Sequence, residues 1–254
     1  MSDTVIGLRH VEHVMGTVFS FDIRDEPTAA IRNALAGAVR QLHHVDAVFS
    51  TYRPDSYISR LERGQISLHD CPPEVHEVLS LCARATHDSA GWFSIVPGGV
   101  LDPSGLVKGW ATEAASRLLH EARRAAHLRQ RRRRPPAPRP AANGTPWRIG
   151  IAHPLRHGEL VTVITGRDLA VATSGTAERG THILDPHDST PATAFASLTV
   201  IGPRLTTTDA YATAAFARGE GARDWVESLD GYEALAVLPD GRTWQTSGFS
   251  RHGS

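Results

Sequence analysis

The sequence predicts an α+β fold in a single domain. Helix-period and strand-period runs both recur along the chain, they do not alternate as regular βαβ units, and several strand runs are joined by short turns suited to antiparallel pairing. With 254 residues, 41% hydrophobic and 21% charged, the chain can bury a full core.

Residues 17–24 alternate, with Phe19, Phe21 and Ile23 on one face and Ser20, Asp22 and Arg24 on the other, as a half-buried strand requires; residues 9–14 are placed to pair with it. Ile31, Leu35, Ala38, Leu42, Val45 and Phe49 recur at steps of three and four and predict an amphipathic helix over 28–49. Ser56 caps a short helix closed by Gly64, and Pro72 opens another at its first position, with Val75, Val78, Leu79, Cys82 and Ala85 as core stripe and Gly91 as stop. A glycine- and proline-rich stretch over 91–105 leads into a helix through Ala111, Ala114, Ala115, Leu118 and Leu119. Strands follow at 147–152, 160–165 and 169–173, the last two joined into a meander by Gly166 and Arg167. Strands at 181–184 and 195–201, helices at 208–217 and 223–229, and closing strands at 234–238 and 243–245 complete the expected order.

Lys+Arg and Asp+Glu both number 27, but eight arginines lie between Arg123 and Arg139, so the remainder is an acidic globule. Lys108 is the single lysine, the signature of a GC-rich gene. Cys71 and Cys82 are too few for a disulfide framework or a four-ligand zinc site. No apolar leader opens the chain and no run approaches a membrane span, so a cytoplasmic protein is expected.

Several groups carry candidate chemistry. Asp209 and Thr213 stand four apart on a helix and project oxygens from one face, which suits a hard cation; from spacing alone, an acid complementing the helix dipole is the favoured reading. Asp102, Ser104, Gly105 and Lys108 cluster at a helix start, where free N–H groups and a point charge suit a phosphate, although a proline turn with a capping serine explains the same residues. The Walker spacing is missing, and the Gly219-Glu220-Gly221 triplet lacks a dinucleotide fingerprint. His10, His13, His43 and His44 with Asp46 read as surface groups, and position alone does not promote His182 among fourteen histidines.

Taken in order, the motifs resemble those of the ApbE family of flavin transferases. They are Met15-Gly16-Thr17, the run from Phe49 to Ser56, Gly91-Trp92-Phe93-Ser94, and Asp102-Pro103-Ser104-Gly105-Leu106-Val107-Lys108-Gly109-Trp110. Ser174-Gly175, Glu178-Arg179, His182-Ile183-Leu184-Asp185-Pro186 and Asp209-Ala210-Tyr211-Ala212-Thr213 complete the series. The resemblance implies transfer of FMN from FAD to a threonine or serine hydroxyl of an acceptor protein, with AMP released and Mg²⁺ required. It implies that Met15, Tyr52, Trp92, Phe93, Ser94, Asp102, Lys108 and Ile183 line the FAD site. Asp209 and Thr213, with backbone oxygens of Gly105 and Ala212, would hold Mg²⁺, and His182 would be the catalytic base or phosphate partner. An FAD binder without transfer activity and an FAD pyrophosphatase are the alternatives. The chain departs from the family in having Ser94 in place of an aspartate and Asp188-Ser189 in place of Thr-Gly.

A larger departure covers 123–143. The family carries a strand ending in Gly-Gly-Asp after the lysine helix, whereas this chain has an arginine run and five prolines between Pro135 and Pro146, which no central strand tolerates. Arg/Pro runs are what GC-rich coding DNA yields out of frame. Read one base later from Gln130, the codons permit Asn-Ala-Gly-Gly-Asp-Leu-Arg-Leu-Arg-Gly-Arg, so a frame error from about residue 122 to 141 is the first reading. A basic linker is second, and a phosphate-binding patch for nucleic acid, whose affinity would fall steeply with salt, is third.

Overall fold

The computed structural model describes residues 7–133, 146–176, 180 and 183–252, and for 124–133 the helical backbone. The first hairpin joins β1 (Leu8–Val14) to β2 (Thr17–Ile23), antiparallel with Val14 opposite Thr17. Met15 (φ 54°) and Gly16 (φ 63°) supply the left-handed pair that a two-residue turn of this hand needs. α1 (Ala29–Phe49) starts where the Thr28 hydroxyl accepts the Ile31 N–H at 3.3 Å, and it buries the predicted stripe from Ile31 to Phe49. Ser56 likewise caps α2 (Tyr57–Glu62) through the Ser59 N–H at 3.0 Å. α3 (Pro73–Asp88) begins one residue later than expected, with Pro72 at the cap and Pro73 in the first turn. Its Cys82 thiol is pushed up to about 12 by burial and is inert packing; Cys71 is buried and free as well.

α4 (Ser104–Arg133) runs well past the predicted Leu119. Alanine and arginine are among the best helix formers, and the chain offers no proline or glycine after Gly109 until Pro135. Downstream lie β3 (Trp147–Ala152), β4 (Leu160–Gly166), β5 (Ala170–Gly175) and β6 (Ser197–Gly202), then α5 (Leu205–Arg218) and α6 (Ala222–Glu227). β7 (Glu233–Val237) and β8 (Thr243–Gln245) follow. The expected meander is not formed: β3 and β4 make a separate hairpin, and β5 pairs with β6 in a four-stranded antiparallel sheet of order β5-β6-β7-β8. The strand expected at 181–184 is reduced to one bridge between Leu184 and Pro191, with Thr181 and His182 outside the described residues.

Strand periodicity sets the layers. Leu198, Val200, Ala234 and Ala236 face the main core with α1, α4 and α5, while Ile201, Leu235 and Val237 face the opposite way onto Ile151, Ile164 and Phe249. β6 is therefore buried along its whole length, between a helical layer and the β3–β4 hairpin. Phe249 is only 2% exposed, and truncating it to alanine would cost about 3–5 kcal/mol. α5 is buried on nearly all sides, and its alanines (Ala210, Ala212, Ala214, Ala215, Ala217) let α4 and the sheet approach closely.

A candidate nucleotide and cation site

One large cavity, about 1540 Å³, opens between the start of α4, the loop before it, α5, the edge of β5 and the β3–β4 hairpin. That exceeds the roughly 300–1,000 Å³ of drug-sized pockets and leaves room for a dinucleotide. Its floor is the crossing of α4 and α5. There the Gly109 N–H donates to Asp209 Oδ2 at 2.9 Å. The approach is so close that a Cβ on Gly109 would sit 2.7 Å from both the Asp209 Cβ and the Leu205 carbonyl oxygen.

The same bond bears on cation binding. An α-helix would give the Gly109 N–H to the Gly105 carbonyl, so Asp209 competes for it and the Gly105 oxygen keeps acceptor capacity. Thr213 donates its hydroxyl proton to the Asp209 carbonyl at 3.2 Å, which leaves its lone pairs free, and its Oγ1 lies 3.4 Å from where a Gly105 Cβ would be. Burial pushes the Asp209 carboxyl up to about 6, against the pull of the Lys108 charge and the Gly109 N–H. A partly buried carboxylate, a hydroxyl and a carbonyl form an oxygen-only set that fits Mg²⁺. Among the described residues no group of three His, Cys, Asp or Glu side chains forms a softer metal site. His10 and His43 both bond to Glu12, at 3.0 and 2.9 Å, and His44 bonds to Glu74.

One turn along α4, Glu113 locks the crossing from the other side. Its Oε1 accepts from Arg204 Nε and Nη2 at 3.1 and 3.0 Å, and its Oε2 accepts the Thr206 N–H and hydroxyl at 3.0 and 2.7 Å. Burial raises the Glu113 pKa, but the Thr206 and Arg204 bonds outweigh it and the net shift is downward. The two helices thus exchange carboxylates: α5 supplies Asp209 to α4, and α4 supplies Glu113 to the start of α5.

The structure brings Trp92, Ser94, Asp102, Gly105, Lys108, Ile183, Asp209 and Thr213 to this one cavity. Asp102 Oδ1 accepts the Ser104 N–H at 2.9 Å, so the cap of α4 comes from the aspartate rather than from the serine. Trp92 is held edge-on by His187 at 4.5 Å and has the Arg218 guanidinium 5.8 Å from its ring centre. Ser94 accepts the Val96 N–H at 3.1 Å and shapes its own loop. Phe93, 1% exposed, supports the wall from behind, with its ring against Gly105.

Other predicted residues fall elsewhere. Met15 sits in the β1–β2 turn and packs on the core, while its neighbour Thr17 reaches the cavity. Tyr52 is 91% exposed and stands away from the cavity wall, and Ala212 is fully buried in α5. His182 lies outside the described residues. The wall made by the β3–β4 hairpin, including His153, was missed by sequence reasoning. Gly150 inside β3 was its one signal, since a Cβ there would meet the Leu160 side chain at 3.0 Å.

Comparison with known proteins identifies the fold and family. A curated relative from Treponema pallidum (strain Nichols), named FAD:protein FMN transferase, is 36% identical over 119 residues, which span 42% of this chain and 33% of that relative. The match thus covers only about a third of the relative's length. The fold matches the crystal structure of an ApbE protein from Thermotoga maritima with a TM-score of 0.83 at 19% identity, covering 98% of this chain and 99% of that one. It matches the flavin transferase ApbE of Vibrio cholerae with a TM-score of 0.72 at 21% identity, covering 97% of this chain and 99% of that one. The ApbE of Pseudomonas stutzeri, titled a flavinyl transferase, gives 0.73 at 19% identity with 98% of each chain covered. Because the ApbE family model matches residues 15–101 and 96–236, a span that holds both helices of the crossing and most of the cavity wall, the chain belongs to the ApbE family.

Proposed function

We propose that this protein transfers FMN from FAD to a threonine or serine hydroxyl of an acceptor protein and releases AMP. The observation that carries the reading is the convergence of Lys108, Asp209, Thr213 and the Gly105 carbonyl on the floor of one dinucleotide-sized cavity. The hydroxyl oxygen attacks the phosphorus of the FMN half, the anhydride bond to the AMP oxygen breaks, and the hydroxyl proton passes to His182. That histidine takes its role from the family resemblance, as does the backbone oxygen of Ala212 in the cation site. Lys108 offsets pyrophosphate charge and holds it near the N-terminus of α4, where the helix dipole favours anions. Asp209, Thr213 and Gly105 would hold Mg²⁺, which neutralises charge on the splitting anhydride. Trp92 and Ile183 give the nucleotide an apolar wall.

The test is incubation with FAD, Mg²⁺ and an acceptor protein. A mass gain of one FMN on the acceptor supports transfer, free FMN and AMP without acceptor would make it a pyrophosphatase, and intact bound FAD would make it a binder. His182→Ala and Asp209→Ala should each abolish transfer.

We also propose that the Arg/Pro stretch is a frame error. α4 carries on into the arginine run as far as Arg133, and β3 and β5, which both line the cavity, each pair with a single strand among the described residues. Resequencing the source DNA across codons 119–143 decides it. A shifted frame encoding Asn-Ala-Gly-Gly-Asp restores an intact enzyme, whereas an unshifted frame makes the chain an impaired flavin binder that fails the transfer assay.

A further inference from the structure

The β3–β4 hairpin contributes one polar side chain to the cavity that is more than nine-tenths buried. His153 is 7% exposed and forms part of the wall of the cavity. Its place is fixed at both ends of the connection, since its N–H donates to the Glu159 carbonyl at 2.9 Å and the Leu155 N–H donates to its Nδ1 at 3.2 Å. A ring nitrogen that accepts an N–H carries no proton, so the neutral imidazole holds its proton on Nε2. Nε2 makes no hydrogen bond among the described residues. No fully buried side-chain polar atom there lacks a partner, so this nitrogen keeps some exposure, and the residue that carries it lines the cavity.

We infer that His153 is a binding group for the dinucleotide, a fixed Nε2–H donor to one of its acceptor oxygens. The inference rests on the reading of the cavity as an FAD site and adds a binding residue from the β3–β4 wall. A backbone amide that holds Nδ1 also holds the ring plane, so the donor is oriented before ligand arrives and loses little freedom on binding. Phosphate oxygens and the flavin ring carbonyls share the required chemistry, oxygen acceptors without a proton.

Two measurements on the full chain test this. Long-range ¹⁵N–¹H correlation spectra should show His153 as the Nε2–H tautomer, with the signal shifting when FAD is added; an Nδ1–H tautomer would overturn the assignment. Binding titrations should show His153→Phe weakening FAD about tenfold or more and His153→Gln, which keeps an N–H donor, staying within about threefold of wild type. ADP weakened in parallel places the acceptor oxygen in the pyrophosphate, and riboflavin weakened in parallel places it in the flavin ring. Wild-type protein that binds FAD while His153→Phe binds equally well overturns this inference alone. Wild-type protein that fails to bind FAD overturns the FAD-site reading and the inference with it.

Discussion

Replacing Gly109 with alanine should destabilise the protein and disable the site together. The new Cβ would lie 2.7 Å from the Asp209 Cβ and from the Leu205 carbonyl oxygen, and 3.2 Å from Asp209 Oδ2, well inside the 3.5–4.0 Å of comfortable carbon contacts. Two of these atoms are backbone or the stiff root of a side chain, so α4 and α5 must part. Overpacking of this kind costs about 1–3 kcal/mol, and stretching the Gly109–Asp209 bond costs about 1.5–3 kcal/mol. The better helix propensity of alanine returns about 1 kcal/mol. The net loss is about 2–4 kcal/mol, which for a chain of this length lowers the melting midpoint by roughly 5–15 °C. Thermal unfolding followed by circular dichroism measures it, with Gly37→Ala as control. Gly37 lies in α1, where the nearest atom to a new Cβ is an Arg40 nitrogen at 3.8 Å, so alanine there should stabilise by about 0.5–1 kcal/mol. A Gly109→Ala protein that melts within a degree of wild type would refute the close-approach argument.

Asp209→Asn should remove a pH dependence. A carboxyl at about 6 when folded and 3.8 ordinarily keeps its proton longer in the folded state, so metal-free stability is greatest below about pH 4 and declines as pH rises to 6. The asparagine variant should lack that decline and, at pH 7.5 in chelator, gain on the order of 2–3 kcal/mol in urea unfolding while losing FMN transfer. Glu113→Ala should cost about 1–2 kcal/mol, read in the same unfolding experiment, because α5 has no capping side chain of its own and the buried Thr206 would lose its acceptor. Ser189→Gly should raise the melting midpoint by about 2–4 °C, since Ser189 holds φ 61°, a left-handed conformation that costs a residue with a Cβ about 1 kcal/mol.

Local features were legible in the sequence wherever a residue's neighbours along the chain decide its state. The alternation from Thr17 to Ile23, the stripe of α1 and the Ser56 cap all formed as expected, because side-chain period and capping oxygen are properties of a few consecutive residues. Strand partnership was not legible. Gly166 and Arg167 look like a hairpin turn, yet β4 and β5 belong to different layers, a choice made by Ile164 and Ile201 meeting across the core. The early start of α5 at Leu205 was hidden for a similar reason, since its cap is a glutamate from α4, ninety-three residues away from Thr206. The floor of the site could be read from motifs, because Lys108, Asp209 and Thr213 sit on regular helices with fixed spacing. The opposite wall could not, because the β3–β4 connection earns its place only by packing.

The layering also divides the cavity mechanically. Its floor belongs to two helices embedded in the main core and bound to each other by reciprocal carboxylates, whereas its far wall is a two-stranded hairpin held by the smaller cluster around Ile151, Ile164 and Phe249 and by the Thr165 N–H to the His252 carbonyl at 2.7 Å. Local opening free energies follow such differences in buried contact, so the hairpin yields before the crossing does. An occupant of varying bulk, such as the proposed FAD with or without an acceptor segment beside it, would meet one stiff surface and one compliant one. Reacting groups that must keep their distances sit on the stiff side, and adjustment to the size of the occupant is left to the other.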